Sequence, residues 1–110
     1  MYTHAMDSHS RTEQLLLLSG AARRLSDIVA AAEAPVRYEV LRRLLRVGEE
    51  TMTEVLDEAV AADLVARGPD PSTYIPADPA TGEAIVEAIG DERLRRLREQ
   101  IASASRRVME

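Results

Sequence analysis

Residues 49–76 read EETMTEVLDEAVAADLVARGPDPSTYIP. Two different periods follow one another in this stretch. Over 49–63, Met52, Val55, Leu56, Ala59 and Val60 recur at i, i+3, i+4, i+7 and i+8, the spacing of a core-facing helical stripe. Glu49 and Glu50 fall in the first turn, where the helix dipole favours carboxylates. Past Asp63 that period is lost. Leu64–Arg67 and Ser72–Pro76 are short, carry β-branched residues and flank Gly68-Pro69-Asp70-Pro71, which predicts two strands joined as a hairpin. The prolines predict an edge role for it.

Upstream, Ser19 is placed to cap a helix over about 21–33, with Ala22, Leu25, Ile28, Val29 and Ala32 facing inward. After Pro35 a second helix is predicted to about Arg46, with Val40, Leu41, Leu44 and Leu45 on one side. The tight Val47-Gly48 link joins it to the helix that opens at Glu49. Downstream, a short helix is predicted over about 80–89, beginning beside Pro79 and closing at Gly90. Asp91 can cap the last helix, about 92–109. Its stripe of Leu94, Leu97, Ile101, Ala104 and Val108 is spaced 3, 4, 3, 4, which is two heptads of an a/d seam. That seam can pack on the domain's own core or pair with a second copy. The expected fold is mainly α with a small β-hairpin. Three helices, a wing hairpin and one or two C-terminal helices are the order of a winged helix-turn-helix. The expected division is an arm or remnant over 1–11, a domain over 12–90 and the C-terminal helix over 91–110.

The chain of 110 residues is long enough for one domain with one core. It has no cysteine, so disulfides and thiolate metal sites are excluded, which suits a reducing cytoplasm. No apolar run approaches the roughly 20 residues needed to span a membrane, and the polar start, Met1–Ser10, lacks the basic region of a signal peptide. All 14 basic residues are arginine, as a GC-rich genome favours, and Phe and Trp are absent, so the core must be aliphatic with three tyrosines. The net charge of −5 runs against a dedicated nucleic-acid binder, although one basic face on an acidic body would suffice.

Charge placement separates the functional readings. The third helix and its exit hold Glu49, Glu50, Glu54, Asp57, Glu58 and Asp63, and no basic residue. In a DNA-reading winged helix this helix lies in the major groove between phosphate backbones, which would repel each carboxylate. It is either a solvated face of a structural helix, a surface for a basic partner (Glu50, Glu54, Asp57 and Glu58, with Leu94, Leu97 and Ile101 on the last helix), or, least in keeping with its charge, a base reader. Arg37, Arg42, Arg43 and Arg46 decorate the second helix and Arg67 the wing, whose tip, Pro69-Asp70-Pro71-Ser72, adds no further cation. These five are the candidate phosphate contacts of a DNA-binding reading. Otherwise such arginines solubilise the surface, pair with acidic neighbours or meet the acidic helix of another copy. Arg93, Arg95, Arg96 and Arg98, with Arg106 and Arg107, lie on the last helix. Tyr74 is expected to pack its ring on the core.

No catalytic constellation is expected. There is no glycine-rich phosphate loop and no Gly-x-Ser-x-Gly elbow. His4 and His9 with a carboxylate are the only zinc candidates, and a weak set. No enzyme activity and no cofactor are therefore expected.

The run from Leu18 through Ser19, Gly20 and Arg23-Arg24 to Leu25 resembles the start of the winged-helix domain of STAND-class ATPases. The LuxR-family large ATP-binding transcriptional regulators are the nearest group. The resemblance continues through Ala31-Ala32, Pro35-Val36 and Val40-Leu41, is strongest over Val55–Val65, and extends through Glu83–Val86 and Asp91–Leu97, so it covers most of the chain. It implies a regulatory domain of a bacterial regulator, acting through protein or interdomain contacts. Four leucines, Leu15–Leu18, with little to cover them suggest an excised fragment or a surface for a neighbour. The chain departs from that family in two places. Asp63 stands where the family has Gly. Ile75-Pro76-Ala77 replaces an aromatic-basic-His run, which counts against a nucleotide-sensing role. Over the C-terminal third, Tyr74–Pro79 followed by a helix is similar to TrmB-type DNA-binding domains, which implies the alternative, a dimeric DNA-binding transcription factor.

Overall fold

The computed structural model describes residues 19–109. The expectations for the arm over 1–11, for His4 and His9, and for Leu15–Leu18 lie outside the described residues. In order, the elements are α1 (Gly20–Ala31), β1 (Val36–Arg37), α2 (Tyr38–Leu45), α3 (Glu49–Ala61), β2 (Val65–Arg67), β3 (Thr73–Pro76), α4 (Pro79–Ile89) and α5 (Asp91–Met109). The chain is mainly helical, with a small three-stranded antiparallel sheet in the order β1-β3-β2.

Helix α1 is the hub and packs against α2, α3, α4, α5 and β3. Ser19 caps it as expected, its hydroxyl accepting the Ala22 N–H at 3.1 Å. Because α1 is surrounded, burial spreads beyond the predicted stripe to Ser26, Ala30 and Ala31. The buried Ser26 hydroxyl donates back to the Ala22 carbonyl at 3.0 Å. The helix ends two residues early, so Ala32 is its C-cap and only half-buried. Pro35 disfavours the helical region for the residue before it, and the chain runs extended into β1.

That strand corrects the expected two-stranded hairpin. Val36 pairs with Tyr74 and Arg37 with Thr73, so β3 is central rather than at an edge. Pro76 is tolerated because β1 reaches only Thr73 and Tyr74. Pro76 faces Val65 of β2 alone, and the next amide, Ala77 N–H, donates to the Leu64 carbonyl at 3.1 Å. At the hairpin bend, Gly68 N–H donates to the Thr73 carbonyl at 2.9 Å, and a Cβ on Gly68 would collide with the Thr73 side chain.

Helix α2 buries Val40, Leu41 and Leu45 and leaves Leu44 half-buried. It closes at Arg46 in the left-handed conformation, φ 56°. Arg42 braces the link to α3: its Nε donates to the Val47 carbonyl at 3.3 Å and its Nη1 lies 3.4 Å from Glu49 Oε1.

Met52, Val55, Leu56 and Ala59 form the buried face of α3, as predicted. Val60 does not; it is 46% exposed. The helix ends at Ala61 rather than at 63, in a Schellman turn. Leu64 N–H donates to the Ala59 carbonyl at 3.1 Å and Asp63 N–H to the Val60 carbonyl at 2.9 Å. Asp63 takes the left-handed position, φ 60°, which that turn requires and which glycine fills most readily.

Asp78 caps α4, accepting the Thr81 N–H at 2.7 Å, with Pro79 at the first helical position. Gly90, φ 85°, turns the chain into α5. Asp91 lies in the first turn of α5 rather than before it. Helix α5 packs on α1, α2 and α4. Its Ala104 is buried, and Leu94, Leu97, Ile101 and Val108 rest half-buried on the same core. Arg98 ties it to α1, donating to the Ala31 carbonyl at 2.9 Å and lying 3.5 Å from Glu33.

Candidate protein-contact face

The stripe Met52, Val55, Leu56 and Ala59 turns inward, so the opposite side of α3 must face out. Glu50, Glu54 and Asp57, spaced by 4 and 3, form one solvent-facing row, with Glu49 and Thr53 beside it. Glu58, the fourth acidic candidate, is used elsewhere. Its two carboxylate oxygens accept the Ser19 N–H at 2.6 Å and the Ser19 hydroxyl at 3.0 Å, clamping the start of α1 to α3. This tertiary clamp could not be read from a separation of 39 residues.

Beside the acidic row, a cleft of about 500 Å³ opens between α3 and the hairpin. Its walls include Tyr38, Leu56, Val60, Val65 and Tyr74, with Asp57, Asp63 and Arg67 around them. Val60 is the one large hydrophobic side chain exposed among the described residues. The sequence placed it in the core because it continues the i, i+3, i+4 series. In the fold it sits at the edge of the stripe, where the sheet leaves a gap. The arrangement is a largely apolar floor with Asp57, Asp63 and Arg67 at its rim.

The candidate phosphate contacts do not converge on α3. Arg37 lies 4.0 Å from Glu39, and Arg42 is engaged with Glu49. Arg43 and Arg46 face a different groove, lined by α1, α2 and α5. Arg67 stands at the end of β2, on the cleft. No continuous basic face across α2, α3 and the hairpin exists among the described residues. Leu94, Leu97 and Ile101 touch the chain's own core and keep only part of their surface for another contact.

Asp27 on α1 is a titrating group that the sequence reading missed. Burial raises its carboxyl above the ordinary range, against the opposing charges of Arg93 and then Arg23. Arg93 Nη2 is 3.7 Å from it. Nothing in the pattern of α1 announced this, since the desolvation comes from α5 lying across it.

Among the described residues no group of three or more His, Asp and Glu could hold a metal ion, and no helix is long and apolar enough to cross a membrane. Comparison of the chain with family models, with curated proteins and with solved structures returns no match.

Proposed function

We propose that the chain is a winged-helix module of a bacterial regulator that works by contacting protein, either a partner or another domain of its parent chain, through the α3–hairpin face. The observation that carries this reading is the acidic row Glu50, Glu54 and Asp57 beside the cleft of Val60. The order α1-β1-α2-α3-β2-β3, with β1 closing on β3 and a short link between α2 and α3, supports the winged-helix part. The charge of α3 supports protein over DNA. At an effective dielectric of 20, a carboxylate about 4 Å from a phosphate is opposed by about 4 kcal/mol. No arginine on α3 offsets that. A basic partner surface would instead be steered in by the same charges. The reading gives the chain no catalytic step and no cofactor, and places it in the cytoplasm.

An amide NMR titration tests it, with an arginine- and leucine-rich helical peptide in one series and a DNA duplex in the other. The peptide is expected to shift Glu50, Glu54, Asp57 and Val60. Duplex-induced shifts on those amides at physiological salt would overturn the reading. The second reading is a dimeric DNA-binding factor whose last helices pair. One observation favours it: Arg43 and Arg46 lack carboxylate partners among the described residues. It requires that the duplex shift α2 and that peptide leave α3 unmoved.

A further inference from the structure

Four arginines from three helices surround one groove of about 490 Å³: Arg24 of α1, Arg43 and Arg46 at the end of α2, and Arg107 near the end of α5. Gln100 and Ser103 add neutral donors, Leu44 and Ala104 give it apolar walls, and no carboxylate lines it. We propose that this groove is a binding site for a small, multiply charged phosphate chain.

Few of the described arginines are ion-paired. Arg37, Arg42, Arg93 and Arg98 lie within 4.0 Å of a carboxylate. The four of the groove have no such partner among the described residues, and neither do Arg23, Arg67, Arg95, Arg96 and Arg106; what sets the four apart is that they converge on one hollow without a carboxylate in its lining, although the chain holds 19 acidic residues to 14 basic ones. Carboxylates were therefore in ample supply, yet this groove has none. Four cations held together without counter-charge repel one another, and an anion between them relieves that repulsion.

Arg46 stands in the left-handed conformation, φ 56°, at a helix C-cap where Gly or Asn is the usual occupant. Arg46 lines the groove from there. Arg24 Nη2 lies 3.5 Å from the Leu44 carbonyl, so Arg24 reaches from α1 across to the end of α2. Arg24, Arg43 and Arg107 stand on helices that pack against one another, so the core fixes where their backbones lie, and Arg46 follows directly on the end of α2.

The chemistry selects the ligand. Guanidinium forks match phosphate oxygens two at a time, and four of them suit a chain of several phosphates better than a single carboxylate. The volume is that of a small-molecule site, which lies at roughly 300–1,000 Å³. A duplex would need a long open face, whereas this groove includes no residue of α3 or the hairpin. The proposal is thus independent of the protein-contact face.

Isothermal titration of the full chain at low ionic strength tests it, with tripolyphosphate and ATP as probes and adenosine as the uncharged control. Both phosphate probes are expected to bind saturably and adenosine not at all. Similar affinities would assign the site to the inorganic chain. A tenfold preference for ATP would assign it to a nucleotide-borne one. Arg43→Gln with Arg107→Gln, both exposed, is expected to weaken binding at least tenfold. Arg95→Gln with Arg106→Gln removes the same charge outside the groove and is expected to change it less than threefold. Absence of saturable binding overturns the proposal. So does an equal loss in both double variants, which would mean bulk charge rather than a site, and so does binding to a duplex alone.

Discussion

Replacing Glu58 with alanine removes both acceptors from the start of α1. Glu58 takes the Ser19 N–H at 2.6 Å and the Ser19 hydroxyl at 3.0 Å, while the hydroxyl oxygen itself accepts the Ala22 N–H at 3.1 Å. Hydrogen bonds to a charged acceptor are worth about 1.5–3 kcal/mol each when protected. Here Ser19 is exposed and Glu58 half-buried, so water competes and the pair together is worth about 1–2 kcal/mol. Ser19→Ala loses the cap and one of the two bonds, about 1 kcal/mol or somewhat more. In the double variant the shared bond is lost only once, so the two effects fall short of additive by about 0.5–1.5 kcal/mol. Urea unfolding followed by helical circular dichroism measures all three variants. Each kcal/mol corresponds to roughly 4–8 °C in Tm for a domain of this size. Additivity within about 0.3–0.5 kcal/mol would refute the clamp. As the control, Glu54→Ala on the free side of α3 is expected to change stability by less than about 0.5 kcal/mol.

Three further outcomes follow from the packing and the charges. A carboxyl raised by burial keeps its proton in the folded chain at pH values where the unfolded chain has lost it. Asp27 therefore makes stability fall as pH climbs from about 4 through its raised value, and Asp27→Asn removes that slope. A pH-independent difference in urea midpoint between the two proteins would contradict this. Asp63→Gly keeps the Schellman turn and leaves stability within about 0.5 kcal/mol or improves it, whereas Asp63→Val costs about 1–2 kcal/mol; equal effects would place the strain elsewhere. Leu41→Ala, at a fully buried position, is expected to cost about 2–5 kcal/mol, and Val60→Ala, 46% exposed, less than about 1 kcal/mol. Comparable losses would put Val60 in the core after all.

Helix placement was legible wherever a strong local signal existed. Ser19, the Met52–Ala59 stripe and the Pro79 and Gly90 boundaries all act within one or two turns. What escaped was non-local or marginal. Strand β1 has two residues and no alternation to detect; only its partner β3 makes it a strand. The ends of α1 and α3 were overrun because apolar period continues past the residue where a turn wins, at Ala32 and at Asp63. Charge on α3 was readable, but its division was not. Glu50, Glu54 and Asp57 remain on the surface because nothing crosses their row, whereas Glu58 meets an α1 terminus far away in sequence. The arginine groove was invisible for the same reason: Arg24, Arg43 and Arg107 belong to three helices whose packing alone brings them together.

The most direct test of the central claim is fluorescence anisotropy of a labelled random duplex, titrated first at low and then at physiological salt. An acidic α3 that serves a protein contact predicts no saturable binding at physiological salt up to about 10⁻⁴ M, the weak end of ordinary non-specific affinity. Micromolar binding at that salt, tightened further when Glu54 and Asp57 are replaced by Gln and Asn, would show α3 lying against phosphate and would contradict the account.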